Sequence, residues 1–208
     1  MNVLLFGATG PTGKLITDYL LENNHVVTCF VRNPGKIMAT GKSVCVVKGS
    51  ILDQGAIEQA LAGIDIVISA LGTKPTFTDT TMSDATNCIV RAMEKTGVKR
   101  IIMISTLGIK ETTGMMGFFF TQVLQATLLK NNFAEKAKQE DILQKSNLDW
   151  IAVRPAVLTN GPRTGKYKAG FATNEKITAK ISRADVADFI VKNVASTKYN
   201  RMPVNLSY

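Results

Sequence analysis

The chain has 208 residues, 45% of them apolar, with three cysteines, one histidine and a formal charge of +9. That length and apolar share predict one globular domain, residues 1–208, with a full core. One histidine and three scattered cysteines exclude histidine-based metal or triad chemistry, so no metal is expected. The positive charge suits an anionic cofactor or substrate, and no long basic block marks a nucleic-acid arm.

The first predicted strand, Val3–Phe6, runs directly into Gly7-Ala8-Thr9-Gly10-Pro11-Thr12-Gly13. A helical pattern from Gly13 to Asn23 follows. Three glycines at three-residue spacing, between a strand and a helix, match what a dinucleotide pyrophosphate requires. They allow a tight turn, close approach of backbone to phosphate, and packing of helix on strand. The helix start then offers N–H groups and a positive dipole end to the anion.

The second strand is predicted at His25–Val31, and His25 is read as structural. An NAD site usually carries Asp or Glu at the end of this strand, to bind the ribose diol. Here the strand ends Val31-Arg32-Asn33, with Lys36 one turn later. Arginine presents a planar fork to a 2′-phosphate and lysine adds a point charge. NADPH is therefore favoured over NADH.

Further strands are predicted at Ser43–Lys48, Asp65–Ala70, Arg100–Ser105, Asp149–Arg154 and Pro203–Leu206. Ile64 to Leu71 is nearly continuous apolar sequence, as in a parallel strand buried on both faces. Helices are predicted at Asp53–Ala62, behind an Asp cap, at Thr80–Thr96, and at Asn132–Ser146 with a stripe of Phe133, Ala137, Ile142 and Leu143. Lys130, Lys136, Lys138 and Lys145, interleaved with Glu135, Glu140 and Asp141, read as a solvated face of that last helix. A final helix opens at Ser182, with Asp185 reaching back in a variant of the capping box.

Alternating strands and helices predict an α/β doubly wound parallel sheet, a Rossmann fold, with small substrate loops after the strand C-termini. Two irregular stretches, Lys110–Phe120 and Pro155–Thr178, fall at such ends. Met115-Met116-Gly117-Phe118-Phe119-Phe120 offers adaptable apolar surface to cap a planar ligand, or equally a core-packed helix. Lys110, Arg163 and Lys166 are candidates for meeting an anionic ligand, against the plainer reading of solvated surface charge.

Cys29, Cys45 and Cys88 lack metal spacing and read as reduced core thiols of a cytoplasmic protein. The chain starts on a strand, so no signal peptide is expected. Met115 to Leu129 is too polar and too short for a membrane span. A monomer is expected.

The chain is similar to the atypical short-chain dehydrogenase/reductases, and within them to the biliverdin reductase B or flavin reductase branch. The residues that carry this are Phe6 to Gly13, Val31-Arg32-Asn33, Ala70-Leu71-Gly72-Thr73, Thr80-Thr81-Met82-Ser83, Asn87 to Met93, Gly97-Val98, Leu148 to Pro155, Thr164-Gly165-Lys166-Tyr167 and Ile181 to Val186. The resemblance implies that Gly7, Thr9, Gly10, Pro11, Thr12 and Gly13 hold the pyrophosphate. It implies that Arg32, Gly35 and Lys36 hold the 2′-phosphate, and that Ser50 and Ile51 edge the adenine. Ala70, Leu71, Gly72, Thr73 and Met82 would line the cofactor trough. Ile104, with Ser105 and Thr106, would end the fifth strand near the nicotinamide, and Pro155 and Lys136 would contact the cofactor. Ser105 and Thr106 are the catalytic candidates, since their hydroxyls can touch substrate or nicotinamide amide.

Two departures from that branch bear on chemistry. Val157 stands where the branch has a histidine after the proline, and Thr106 where it has a serine. None of Tyr19, Tyr167, Tyr199 and Tyr208 is followed by lysine four residues later, so the usual alcohol acid/base pair is missing. A conjugated acceptor needs that pair less, because it delocalises incoming charge and takes its proton from water. The expectation is an NADPH-dependent reductase of a planar acceptor: flavin as substrate rather than prosthetic group, a tetrapyrrole such as biliverdin, or a quinone. The alternative is a non-catalytic NADP(H)-sensing regulator of the NmrA kind. An epimerase or dehydratase fits less well.

Overall fold

The computed structural model describes residues 1–37, 44–72, 81–115 and 130–208. Ten strands form within them: β1 (Asn2–Phe6), β2 (Val26–Val31), β3 (Cys45–Lys48), β4 (Ile66–Ser69), β5 (Arg100–Ile104), β6 (Asp149–Pro155), β7 (Val157–Thr159), β8 (Lys168–Ala169), β9 (Lys180–Ser182) and β10 (Met202–Ser207). Five α-helices alternate with them: α1 (Pro11–Glu22), α2 (Gln54–Ala60), α3 (Thr81–Thr96), α4 (Lys130–Lys145) and α5 (Arg183–Lys192).

The main sheet has the order β3-β2-β1-β4-β5-β6-β10-β8, all parallel except for β8 on β10. Its register pairs Phe6 with both Phe30 and Ser69, so β1 and β4 end level with each other. The chain winds outward from β1 in one direction and from β4 in the other. The gap between their C-terminal ends is the switch point, where open α/β sheets bind ligands. The doubly wound parallel fold read from the sequence is observed.

Both faces of the sheet are covered. Val3, Leu5, Ile66, Ile68 and Ile102 pack under α1 and α5, against Ile16, Leu20, Val186 and Ile190. Leu4, Phe6, Val67 and Ile101 pack under α2, α3 and α4, against Ile57, Ile89, Met93 and Leu143. Burial on both sides explains why these strands read as unbroken apolar runs.

The caps hold the helices as their sequences suggest. Asp53 accepts from the Ala56 N–H at 3.0 Å and Ser182 accepts from the Asp185 N–H at 3.0 Å. The second half of the capping box is not made. The Asp185 carboxylate instead accepts from the Thr164 and Gly165 N–H groups, the Thr164 hydroxyl and the Tyr208 phenol. The Ser182 N–H donates to the Tyr208 hydroxyl at 3.2 Å. Asp185 thus clamps the return loop onto the start of α5.

Pro155–Thr178, read as irregular, contains β7 and β8, and β7 pairs in parallel with β9 just beyond it. Of the three thiols, only Cys29 is buried; Cys45 is exposed and Cys88 half-buried. Cys45 sits on β3, the edge strand of the main sheet among the described residues. Burial pushes the Cys29 thiol up to about 11. His25 lies just before β2, and its Nδ1 is 3.2 Å from the terminal amine of Met1. No helix among the described residues is long and apolar enough to cross a membrane. The stretch Met116 to Leu129 lies outside the described residues.

Candidate functional site

The glycine turn sits at the switch point. Gly7 has a φ of +81°, and a Cβ on it would lie 2.4 Å from the Ala70 carbonyl oxygen at the end of β4. A Cβ on Gly13 would lie 2.1 Å from the Gly7 oxygen. Both positions therefore require glycine, one for its backbone angle and both for close approach. Gly10 is the N-cap of α1 and its N–H donates to the Gly7 oxygen at 3.0 Å, closing the turn. Among the described residues no side chain caps α1, no acidic residue lies in its first turn, and Pro11 supplies one position without an N–H. Thr9 and Thr12 stand half-buried beside this end. A helix start left uncapped over a glycine cradle suits a pyrophosphate.

At the end of β2, Arg32, Gly35 and Lys36 are exposed on a tight turn that Asn33 caps by accepting from the Gly35 N–H at 3.1 Å. Ser50, exposed, follows β3; its hydroxyl accepts from the Leu52 N–H at 3.3 Å, and Ile51 packs half-buried on the core. Gly49 leaves room for the Phe30 ring, which a Cβ would meet at 2.3 Å. Ala70, Leu71 and Gly72 continue past β4 beside the glycine turn, while Thr73 and Thr80 lie outside the described residues. Met82 is buried in the first turn of α3, its carbonyl accepting from Gln139 at 3.2 Å.

Lys136 is brought to the same edge from α4. Its Nζ donates to the Ile104 oxygen at 2.7 Å and to the Leu71 oxygen at 3.1 Å, bridging the ends of β5 and β4. Desolvation lowers this ammonium from its ordinary value to about 8, with the negative charge of Glu140 opposing the shift. The solvated helix face read from the sequence is corrected here. Glu135, Gln139, Glu140 and Leu143 are the buried side of α4, and Lys136 points inward with them. An interior that already contains a buried arginine draws the carboxylates inward.

That arginine is Arg154, 1% exposed on β6, against Glu140, which is 0% exposed. Its Nε and Nη2 donate to the two Glu140 oxygens at 2.9 and 2.6 Å, a bidentate pair. Its Nη1 bonds to Glu111, in a short 3-10 turn over Lys110–Thr112. Burial alone would lower the guanidinium, but the bonds from Glu140 and Glu111 outweigh it and raise it. Ser105 donates to Glu140 Oε1 at 2.5 Å, so its hydroxyl proton is committed. Thr106 donates to the Leu107 oxygen at 3.1 Å and stays half-buried. Glu140 and Arg154 were missed as functional candidates. The signal was present in an arginine inside the apolar run Trp150 to Pro155, which demands a buried counter-charge.

Beyond these ends, Leu107, Ala156 and Phe171 form a small buried apolar cluster with Met115, Phe133, Ile177 and Ala179 against it. Pro155 closes β6 and its oxygen accepts from the Leu107 N–H at 2.9 Å. Val157 begins β7, 42% exposed. Of the aromatic run, Met115 joins this cluster, and Met116 to Phe120 lie outside the described residues.

Other candidates are placed elsewhere. Arg163 lies 4.3 Å over the Tyr19 ring and pairs with Asp188 at 2.6 Å and Glu22 at 3.3 Å. It therefore flanks the far end of α1, about 15 Å along the helix from the glycine turn. Lys110 belongs instead to the Glu140 network, 2.7 Å from Asp141 and 3.9 Å from Glu140, and Lys166 is exposed. All four tyrosines belong to the α1/α5 side of the sheet. Tyr167 donates to Asp188 at 2.8 Å, and burial with that carboxylate pushes its phenol far above the usual range.

Residues 7–197 match a family described as NAD(P)H-binding. The chain belongs to this NAD(P)H-binding family. The match spans the glycine turn, Lys136, the Arg154 network and α5. An uncharacterised chloroplastic protein of Arabidopsis thaliana is 30% identical over 79% of this chain and 61% of its own length. ChuY, an anaerobilin reductase of Escherichia coli O157:H7, is 25% identical, with a TM-score of 0.84, over 100% of this chain and 97% of its own. A short-chain dehydrogenase/reductase of Veillonella parvula, solved with NADP, is 20% identical and shares the fold. Its TM-score is 0.78, over 100% of this chain and 94% of its own. The chain spans about three fifths of the length of the first two curated relatives that it matches.

Proposed function

We propose that this NAD(P)H-binding chain is an NADPH-dependent reductase that passes hydride to a planar conjugated acceptor, a tetrapyrrole or free flavin first and a quinone next. The observation that carries this reading is Lys136, whose ammonium bridges the Leu71 and Ile104 carbonyls at the switch point. It is a cation at the site, and the four tyrosines are on the other side of the sheet. A carbonyl substrate needs a phenol-type proton donor; a conjugated acceptor needs charge stabilisation and exclusion of water.

Each part of the chain has a task in this reading. Gly7, Gly10 and Gly13 admit the pyrophosphate to the start of α1. Arg32 and Lys36 hold the 2′-phosphate, which selects NADPH over NADH. The bound cofactor supplies the hydride. Lys136 places positive charge where the acceptor gains negative charge, and water supplies the proton that completes the reduction. The cluster of Leu107, Ala156 and Phe171 gives a flat acceptor an apolar bed. The likeness to ChuY supports a tetrapyrrole among the acceptors, and the resemblance to the flavin reductase branch supports flavin.

The test is an anaerobic screen of NADPH oxidation with biliverdin, FMN, riboflavin and a quinone. Turnover with at least one tetrapyrrole or flavin is expected. Tight NADPH binding without turnover of any acceptor would support the sensing regulator instead.

A further inference from the structure

We propose that Glu140 is a positioning residue of the site: it spends the Ser105 proton, leaving that serine only lone pairs for a ligand, and supplies the counter-charge of Lys136. This rests on the reductase reading for its consequence, not for its geometry. Glu140 is completely buried and bonded at both oxygens, Oε1 by Ser105 and Arg154 Nε and Oε2 by Arg154 Nη2. A carboxylate held by three donors is fixed in place.

The charges around it do not cancel. Glu140, Glu111 and Asp141 face Arg154 and Lys110, three carboxylates against two cations. One negative charge is left over, and Lys136, one helical turn before Glu140 on α4 and bonded to carbonyl oxygens, feels that charge through space. β4 and β5 give Lys136 carbonyl oxygens, β6 contributes Arg154, and the turn after β5 contributes Lys110 and Glu111. The buried Glu140–Arg154 pair, flanked by the half-exposed Glu111 and Asp141, thus opposes the desolvation that lowers the Lys136 ammonium.

A hydroxyl whose proton is already donated can only accept. Ser105 therefore suits an amide or ring N–H of a ligand, and disfavours a carbonyl oxygen.

The experiment is a lysine titration by carbon-13 NMR on protein free of cofactor, with Lys136 assigned through Lys136→Arg. In Glu140→Gln the Lys136 midpoint falls by about half a pH unit or more, and in Lys110→Met it rises, because a neighbouring cation has gone. Lys110 is partly exposed, so that variant decides the matter if Glu140→Gln does not fold. An unchanged midpoint in either folded variant overturns the proposal, even where thermal stability drops. The alkaline limb of the pH profile of kcat/KM moves in the same direction as each midpoint. If the wild type turns over no acceptor, the reductase reading fails while the titration still decides the role of Glu140.

Discussion

Lys136 Nζ lies 2.7 Å from the Ile104 carbonyl oxygen, tying α4 to the end of β5 at the edge where the glycine turn opens. Its titration near pH 8 gives the first prediction. The charged form is needed, so kcat/KM is flat below pH 8 and falls about tenfold per unit above it. In Lys136→Arg, whose charge persists, that fall disappears. Lys136→Met loses turnover at every pH. The stability effect has the opposite sign. The folded value lies below the unfolded one, so the unfolded chain binds the extra proton between about pH 8 and 10.5, and stability rises with pH across that window.

Arg32→Ala raises the KM for NADPH by about tenfold or more and leaves that for NADH nearly unchanged. Steady-state kinetics with both cofactors checks this. Equal effects on the two remove Arg32 from the 2′-phosphate site.

Gly13→Ala drives a methyl group into the Gly7 carbonyl, and backbone cannot yield cheaply there. Gly7→Ala adds left-handed backbone strain to a clash with Ala70. Both variants lose NADPH binding by calorimetry and melt at lower temperature. Gly55→Ala, where a Cβ meets nothing nearer than Asp53 Oδ1 at 3.5 Å, serves as the control.

Arg154→Met leaves Glu140 buried without its partner. It is expected to cost about 3–5 kcal/mol in urea unfolding, while the double change Arg154→Met with Glu140→Leu recovers much of that loss.

Asp185→Asn weakens a carboxylate that gathers four donors. Burial pushes its carboxyl up, but the bonds from Tyr208, Gly165 and Thr164 outweigh this and hold it below the usual range. Its contribution is present above the unfolded value and lost as pH falls toward the folded one. The variant is less stable than wild type at pH 7 by about 1–3 kcal/mol, and the gap narrows at acid pH. Thermal melts across pH read both.

The fold was legible because two-sided burial writes itself as apolar runs, as in Ile64 to Leu71, and because Asp53 and Ser182 sit where caps belong. β7, β8 and β9 were not legible: two or three residues carry no period, and their pairing is set by partners distant in sequence. The glycine turn was legible from local backbone needs alone. The inward face of α4 was not, because Lys136, Glu135 and Glu140 look like a solvated face until Arg154 is placed opposite them. Ser105 could be read only as a free hydroxyl, since its partner Glu140 is 35 residues away.

The central claim, hydride transfer from NADPH to a conjugated acceptor, is tested most directly with NADPH deuterated at the nicotinamide hydride position. After anaerobic turnover with biliverdin or flavin, mass spectrometry of the tetrapyrrole, or rapid-quench analysis of the reduced flavin, locates the label. The account predicts deuterium on the reduced acceptor, in proportion to NADPH consumed, and its loss in Lys136→Met. NADPH bound but never oxidised, with no label on any acceptor, would contradict it.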